Sequence, residues 1–369
     1  MAYIGTFIKI NKRYLIIFLL AVLNLFFIYF FFDFPKINAD TPGYIEAIVH
    51  FREKSDVIDN INRLLTTPLM LISMVVLSNL FNGDLYSGML LINLVLYFLT
   101  IYVYYKLSFD LFKDLKAAVF STLLVLFNFC FYSFGPTYYA DIGGWFFYIL
   151  GTFFAFKYVQ TKGNLYYYLS VASAVVGIFF KETGALSILT LVLLILFSSN
   201  YSRQLKFKKI LLAVVLFSII PLLYHLWFYG HFHYSYFDWR NYVHSITYAD
   251  YQYQTTINYF VLLIKVLIYL FSFGWMLFLL GLRQIKKDKN WELGKTFLIL
   301  IPSSLLFLAY PALTARLSFV ILPWLSLIAG YYLAKIKNKF LVIVFLLLYM
   351  IFNYLVMFKL EIHQFYLFS

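Results

Sequence analysis

Two aspartates and three cations stand where an apolar chain rarely leaves charge. Asp40 follows the first long apolar run, in Asn38-Ala39-Asp40-Thr41-Pro42-Gly43-Tyr44, and Asp141 follows a later one, in Pro136-Thr137-Tyr138-Tyr139-Ala140-Asp141. Acids at a water–lipid boundary are costly unless solvated or paired, and in such chains they often mark a working site. Arg63, Lys181 and Arg316 each lie at the edge of an apolar run, where a lone cation gains little from water. An anionic lipid headgroup is a natural partner for them, and Arg offers two parallel donors to phosphate oxygens.

Each of these residues also has a plain structural role. Thr41-Pro42 reads as a helix start, with Pro at the first helical position. Asp40 then sits beside a helix N-terminus, where the dipole favours a carboxylate. Asp141 can cap the helix beginning Ile142-Gly143-Gly144-Trp145. Arg63 can snorkel from an interfacial helix, Lys181 can pair with Glu182, and Arg316 can be an ordinary loop charge. Lys265 lies within an apolar run and either faces a cavity or snorkels. The stretch 230–256 carries His231, His233, His244, Asp238, Trp239 and Arg240 among many tyrosines. His231 and His233 would share one side of an extended strand, but no second ligand pair stands at zinc-type spacing. The tyrosines suit sugar binding and a membrane-interface belt equally.

The elements that must position these groups are membrane helices. The 369 residues are 63% hydrophobic and 12% charged, against about 45–50% and 25% in soluble domains. Apolar runs able to cross about 30 Å of hydrocarbon recur from end to end. Strands of a β-barrel would be shorter and would alternate in polarity. The fold class is all-α, a polytopic transmembrane bundle. Spans are predicted at 14–34, 86–105, 117–134, 142–159, 165–180, 184–198, 210–229, 257–282, 296–312, 317–334 and 340–358, about 11 in all. The first follows Lys9, Lys12 and Arg13 and lacks a small-residue cleavage site, so a retained anchor is expected. Cys130 lies in an apolar run as the one cysteine, and packing is its expected role.

Charge decides how 64–81 is read. If this run does not cross, roughly two-thirds of the 29 Lys and Arg fall on the inner side with about a quarter of the 16 acids, as the positive-inside rule requires. If it crosses, most of those cations move outside. The run is therefore expected to lie at or dip into the outer leaflet, with long outer loops at 35–85 and 230–256. Asp40 and Asp141 then share the outer face. The net charge of +13 is accounted for by the inner loops rather than by nucleic acid. There is no Walker A loop, dinucleotide fingerprint, His-Glu-x-x-His pattern or nucleophile elbow, which argues against an ATP-driven pump.

The order of these features resembles the GT-C superfamily of polyprenyl-phosphate-dependent glycosyltransferases, nearest to the protein O-mannosyltransferase and lipid A aminoarabinose transferase branch. Asp40 with Tyr44 resembles the acidic motif of the family's first outer loop. Arg63 before Pro68 resembles the basic residue ahead of a proline-bearing juxtamembrane helix, with Thr67-Pro68 where two prolines are usual. Pro136, Tyr139 and Asp141 match the next outer turn. Gly177-Ile178-Phe179-Phe180-Lys181-Glu182-Thr183-Gly184 matches a Gly-containing span ending in Thr-Lys, with Phe in place of Thr. Arg316, Pro323 and Gly330 match the late motif. The whole chain reads as a single integral-membrane catalytic domain, and the soluble C-terminal domain of many relatives is not expected.

The resemblance implies sugar transfer from a polyprenyl-phosphate-linked donor to a glycan, lipid or protein acceptor, at the outer face of the cytoplasmic membrane. Asp40 would be the general base and Asp141 would orient the acceptor or share a divalent cation. Arg63, Lys181 and Arg316 would bind the donor phosphate, with Tyr44, Tyr139 and Glu182 as further substrate contacts. Direct displacement would invert the anomeric centre. A secondary transporter or lipid flippase would instead place acids at the midplane within an inverted repeat, and neither is visible. A non-catalytic scaffold subunit is the remaining alternative.

Overall fold

The computed structural model describes residues 2–32, 34, 35, 37, 40–53, 60–199, 201–251, 264, 267–289, 294, 300 and 319–362. Arg316, Lys265 and all of the expected span 296–312 except residue 300 lie outside these residues, as does most of 257–273. Among the described residues there is no strand. The helices are α1 (Ala2–Phe31), α2 (Thr41–Glu53), α3 (Ile61–Thr66), α4 (Pro68–Ser78), α5 (Leu85–Phe112), α6 (Leu115–Leu126), α7 (Phe129–Phe134) and α8 (Asp141–Thr161). They continue with α9 (Asn164–Phe180), α10 (Leu186–Phe197), α11 (Arg203–Phe232), α12 (Tyr236–Tyr251), α13 (Gly274–Lys287), α14 (Leu322–Lys335) and α15 (Lys339–Ile362). Within α1, α5, α8, α11 and α15 there are stretches long and apolar enough to cross a membrane. This is an all-α membrane protein.

The bundle has two chemically distinct ends. At one, basic turns meet acids: Lys157 Nζ lies 2.6 Å from Asp110, and Lys209 donates to Asn164 at 3.0 Å. Tyr331 donates to Asp288 at 2.5 Å, beside Lys335. The opposite end holds Asp40, Asp84 and Asp141. Asp84 caps α5 by accepting from the backbone of Tyr86 and Ser87, the role this residue type plays at N-termini.

The segment 61–81 starts and finishes at the acidic end. Arg63 at its beginning bonds Asp40. Just past its close, Tyr86 packs edge-on against Tyr138, whose carbonyl accepts from Thr41. The segment is broken at Thr67, and α4 has 11 residues, a rise of about 17 Å, roughly half of the hydrocarbon thickness. Gly88 lets α5 lie directly on it, since a Cβ there would meet the Met74 carbonyl at 2.4 Å.

Two expected elements differ in form. The run 117–134 is two helices, because Asn128 interrupts the ladder. Its side chain caps α7 by accepting from the Cys130 amide at 3.0 Å, and its amide donates to Leu270 O and Tyr349 Oη. The stretch 230–256 is largely helical. α11 runs to Phe232, and α12 starts four residues on. The extended backbone that would align His231 and His233 is therefore not formed: His231 is helical and packs on Trp227, and His233 is left-handed at φ 51°.

Aromatic packing fixes α8, the helix that begins at Asp141. Trp145 is fully buried and stacks on Phe319 at 4.1 Å. Trp324 donates to Tyr148 Oη at 2.7 Å, so α8 and α14 are joined by a buried polar pair inside an apolar core. Buried hydroxyl and indole groups need such partners.

Candidate active site

Asp40 occupies the turn before α2. Along α2, Thr41, Tyr44, Ala47 and Ile48 are buried, a helical stripe that presses the first turn into the bundle. Gly43 permits α3 to approach, with Asn60 and Arg63 the nearest side chains to a Cβ there. Asn60 also donates to Glu46, tying the two helices. Arg63 is thereby brought back over the start of α2. Its Nη2 lies 2.8 Å from Asp40 Oδ1, and its guanidinium sits 4.7 Å from the centre of the Tyr44 ring. Such a cation over an aromatic face is favourable.

Asp141 is the first residue of α8 and is 1% exposed. Its loop is held by three other elements through successive carbonyls. Tyr29 of α1 donates to Pro136 O at 2.8 Å, and Thr41 of α2 donates to Tyr138 O at 3.2 Å. Asn93, buried in α5, donates to Thr137 O and to Tyr139 O. The bond from Thr41 couples the turn of Asp40 to the loop of Asp141.

Lys181 stands at the break between α9 and a 3-10 turn, Glu182–Ala185, in extended conformation. It is 6% exposed, with Nζ 3.4 Å from Glu182 Oε1. Gly144 brings this corner against the first turn of α8: a Cβ there would lie 2.1 Å from Thr183 Oγ1 and 2.8 Å from Lys181 Cβ.

Tyr44 is where these groups converge. Burial pushes its hydroxyl up from the usual phenol range, Lys181 and Arg63 pull it down, and Asp40 and Asp141 push it up. One buried phenol thus senses both carboxylates and both cations. Of the expected site residues among those described, Asp40, Asp141, Arg63, Lys181, Tyr44 and Glu182 come together. Tyr139 packs its ring edge-on against Phe134 at 5.3 Å. Arg316 lies outside the described residues.

Three contributors were not legible from sequence. Asn93 was signalled only as a lone amide in an apolar run, a feature that commonly marks a polar task in membrane helices. Tyr236 had no signal, standing among many tyrosines. Its hydroxyl is raised to about 12 by burial and by Glu182, with Lys181 pulling it down. His225, whose ring centre is 5.5 Å from that of Tyr236, completes this side. Among the described residues no group of three His, Cys, Asp or Glu side chains gathers to hold a metal ion.

Beside the charged cluster lies an apolar cavity of about 350 Å³ between α2, α3–α4 and α11. Ile48, Leu64, Leu71, Val75 and Trp227 line it, and Tyr224 closes one wall by donating to Leu64 O at 2.6 Å. Ile48 is one turn beyond Tyr44, and Leu64 adjoins Arg63.

Residues 66–228 match the family model of dolichyl-phosphate-mannose-protein mannosyltransferases. The match supports membership of the GT-C superfamily and a membrane glycosyltransferase of the GT-C type. The matched region takes in Asp141, Lys181 and Glu182, whereas Asp40 and Arg63 precede it, so their place beside these residues rests on geometry. No curated protein matches the chain.

Proposed function

We propose that the protein transfers a sugar from a polyprenyl-phosphate donor to an acceptor hydroxyl at the outer face of the cytoplasmic membrane. The observation that carries this is the Arg63–Asp40 ion pair over Tyr44, joined by the Thr41 bond to the loop of Asp141, with Lys181 packed on the first turn of the Asp141 helix, next to an apolar groove. A polyprenyl-phosphate sugar has a matching layout, an anionic phosphate between a long apolar tail and a polar ring.

The tail lies in the groove between α2, α3–α4 and α11. Lys181, Arg63 and Arg316 hold the phosphate. The acceptor oxygen attacks the anomeric carbon while Asp40 takes its proton. The bond from that carbon to the phosphate oxygen breaks, and its electron pair leaves on the lipid phosphate. The cations stabilise the charge that develops there, an effect strengthened where water is scarce. Asp141 orients the acceptor. Attack opposite the leaving phosphate inverts the anomeric centre, and a good leaving group needs no general acid.

Purified protein in liposomes, supplied with labelled polyprenyl-phosphate sugars and membrane extract as acceptor, tests the proposal. The name of the matching family makes mannose the first sugar to try. Label should move from the lipid to a new product, with polyprenyl phosphate released in equal amount. Failure of every sugar lipid to yield product would remove the proposal.

A further inference from the structure

The Glu182 side chain is 25% exposed, with its carboxylate at the covered end. Both its carboxylate oxygens are enclosed, and among the described residues neither takes part in a hydrogen bond. Lys181 Nζ lies 3.4 Å from its Oε1. An ionised carboxylate offers about four lone-pair positions and no donor, and leaving them unmet in an enclosed place is costly. The side facing α11 and α12 adds two polar groups. His225 Nδ1 is likewise enclosed without a partner among the described residues, and its ring lies 5.5 Å from that of Tyr236. The Tyr236 hydroxyl lies in the field of Glu182 and Lys181. α11 is held at this corner, since Tyr224 packs edge-on against Phe179 at 5.2 Å.

We infer that Glu182, Tyr236 and His225 form the subsite for the hydroxyls of the donor sugar, distinct from the phosphate grip of Arg63 and Lys181. The inference rests on the glycosyl-transfer reading and assigns residues to one part of its substrate. A second phosphate is disfavoured there by the charge of Glu182, and a free cation by the adjacent Lys181. Neighbouring sugar hydroxyls supply donors to the carboxylate and acceptors for the phenol and imidazole. The two aromatic rings suit the apolar face of a pyranose. Phosphate and sugar are adjacent in the donor, as Lys181 and Glu182 are adjacent in the chain. The first contact of the substrate with 230–256 would then be through α12, which follows the matched family region.

Binding of bare and sugar-bearing lipid phosphates to the purified full chain in nanodiscs separates these roles. The probes are decaprenyl phosphate and its mannosyl, glucosyl and arabinosyl derivatives, measured for wild type, Glu182→Gln and Tyr236→Phe. Wild type should hold at least one sugar lipid more tightly than bare decaprenyl phosphate. Glu182→Gln should weaken that sugar lipid by about tenfold or more relative to bare decaprenyl phosphate, the size of a lost charge-assisted hydrogen bond. Tyr236→Phe, which removes one half-buried oxygen, should act in the same direction by about threefold. Equal weakening of bare and sugar lipids would show that Glu182 only orients Lys181 and would overturn the subsite. Wild type that binds every sugar lipid no better than the bare one would overturn it as well. If wild type binds none of the lipid phosphates, the glycosyl-transfer reading itself falls, a result distinct from either.

Discussion

Arg63 Nη2 lies 2.8 Å from Asp40 Oδ1, so the cation expected on the donor phosphate is engaged with the carboxylate expected to act as base. A guanidinium carries five N–H donors in a fixed fork; here Nη2 meets Asp40 and Nη1 reaches Tyr44 Oη at 3.5 Å. Asp40→Asn should preserve folding and membrane insertion while lowering sugar transfer by about 10²–10⁴, the usual cost of losing a general base. Turnover of labelled sugar in liposomes measures this. A wild-type rate would reduce Asp40 to an anchor for Arg63.

Arg63 sits over the Tyr44 ring as well as beside Asp40, and a lysine reproduces the charge without the planar fork. Arg63→Ala should weaken donor binding by about 1.5–3 kcal/mol, tenfold to 150-fold, and Arg63→Lys should fall between it and wild type. If Lys181 and Arg316 grip the same phosphate, their alanine substitutions should be non-additive with Arg63→Ala in double-mutant cycles. Strict additivity would assign the three cations to separate tasks.

Gly144 is a site residue through what it lacks. A methyl there would press on Thr183 Oγ1 at 2.1 Å and on Lys181 Cβ at 2.8 Å. Gly144→Ala is expected to cost about 1–3 kcal/mol as overpacking and to displace Lys181 from Tyr44, lowering both thermal stability and transfer. Gly230→Ala provides the contrast, because no atom lies within 4 Å of a Cβ at that position. Similar behaviour of the two variants in detergent melts and transfer assays would contradict the packing seen at the Lys181 corner.

Asn93→Leu removes the donor shared by Thr137 O and Tyr139 O. Leaving the buried Thr137 carbonyl bare should cost about 1–3 kcal/mol, and the part-buried Tyr139 carbonyl less. Since the Asp141 loop is held here while Arg63 and Lys181 are held elsewhere, kcat should fall with donor binding retained. An isothermal titration of donor alongside steady-state kinetics distinguishes this from general unfolding, which would lower both.

Much of this arrangement was open to reading from the chain, for physical reasons. Asp40, Arg63, Asp141 and Lys181 announced themselves because charge at the edge of an apolar run needs an account, and charge bias argued for one shared face. What sequence did not reveal was pairing. Nothing in the spacing of residues 40 and 63 shows that the two side chains bond, because the α2–α3 hairpin and Gly43 create that contact. Asn128 was likewise hidden, since an Asn inside an apolar run does not declare that its side chain caps a second helix. The helical form of 236–251 was obscured by aromatic residues whose local preference is weak and whose packing decides the outcome. Tyr236 and His225 gain their place only once α11 folds back on α9.

The groove between α2, α4 and α11 is rimmed by side chains that remain open to the surroundings, Phe51, Ile72, Val76 and Trp227 among them. For the lipid-linked donor proposed above, a door in the wall of the bundle would make substrate capture a search in two dimensions. The quantity that governs occupancy is then the mole fraction of lipid substrate in the surrounding film, and its concentration in bulk water is immaterial. Diluting a fixed amount of donor with inert detergent or phospholipid should slow turnover even when total volume is constant, while adding buffer should not. On the proposed reaction the spent lipid phosphate would leave by the same opening and accumulate in the same film, so each vesicle would carry its own product inhibition.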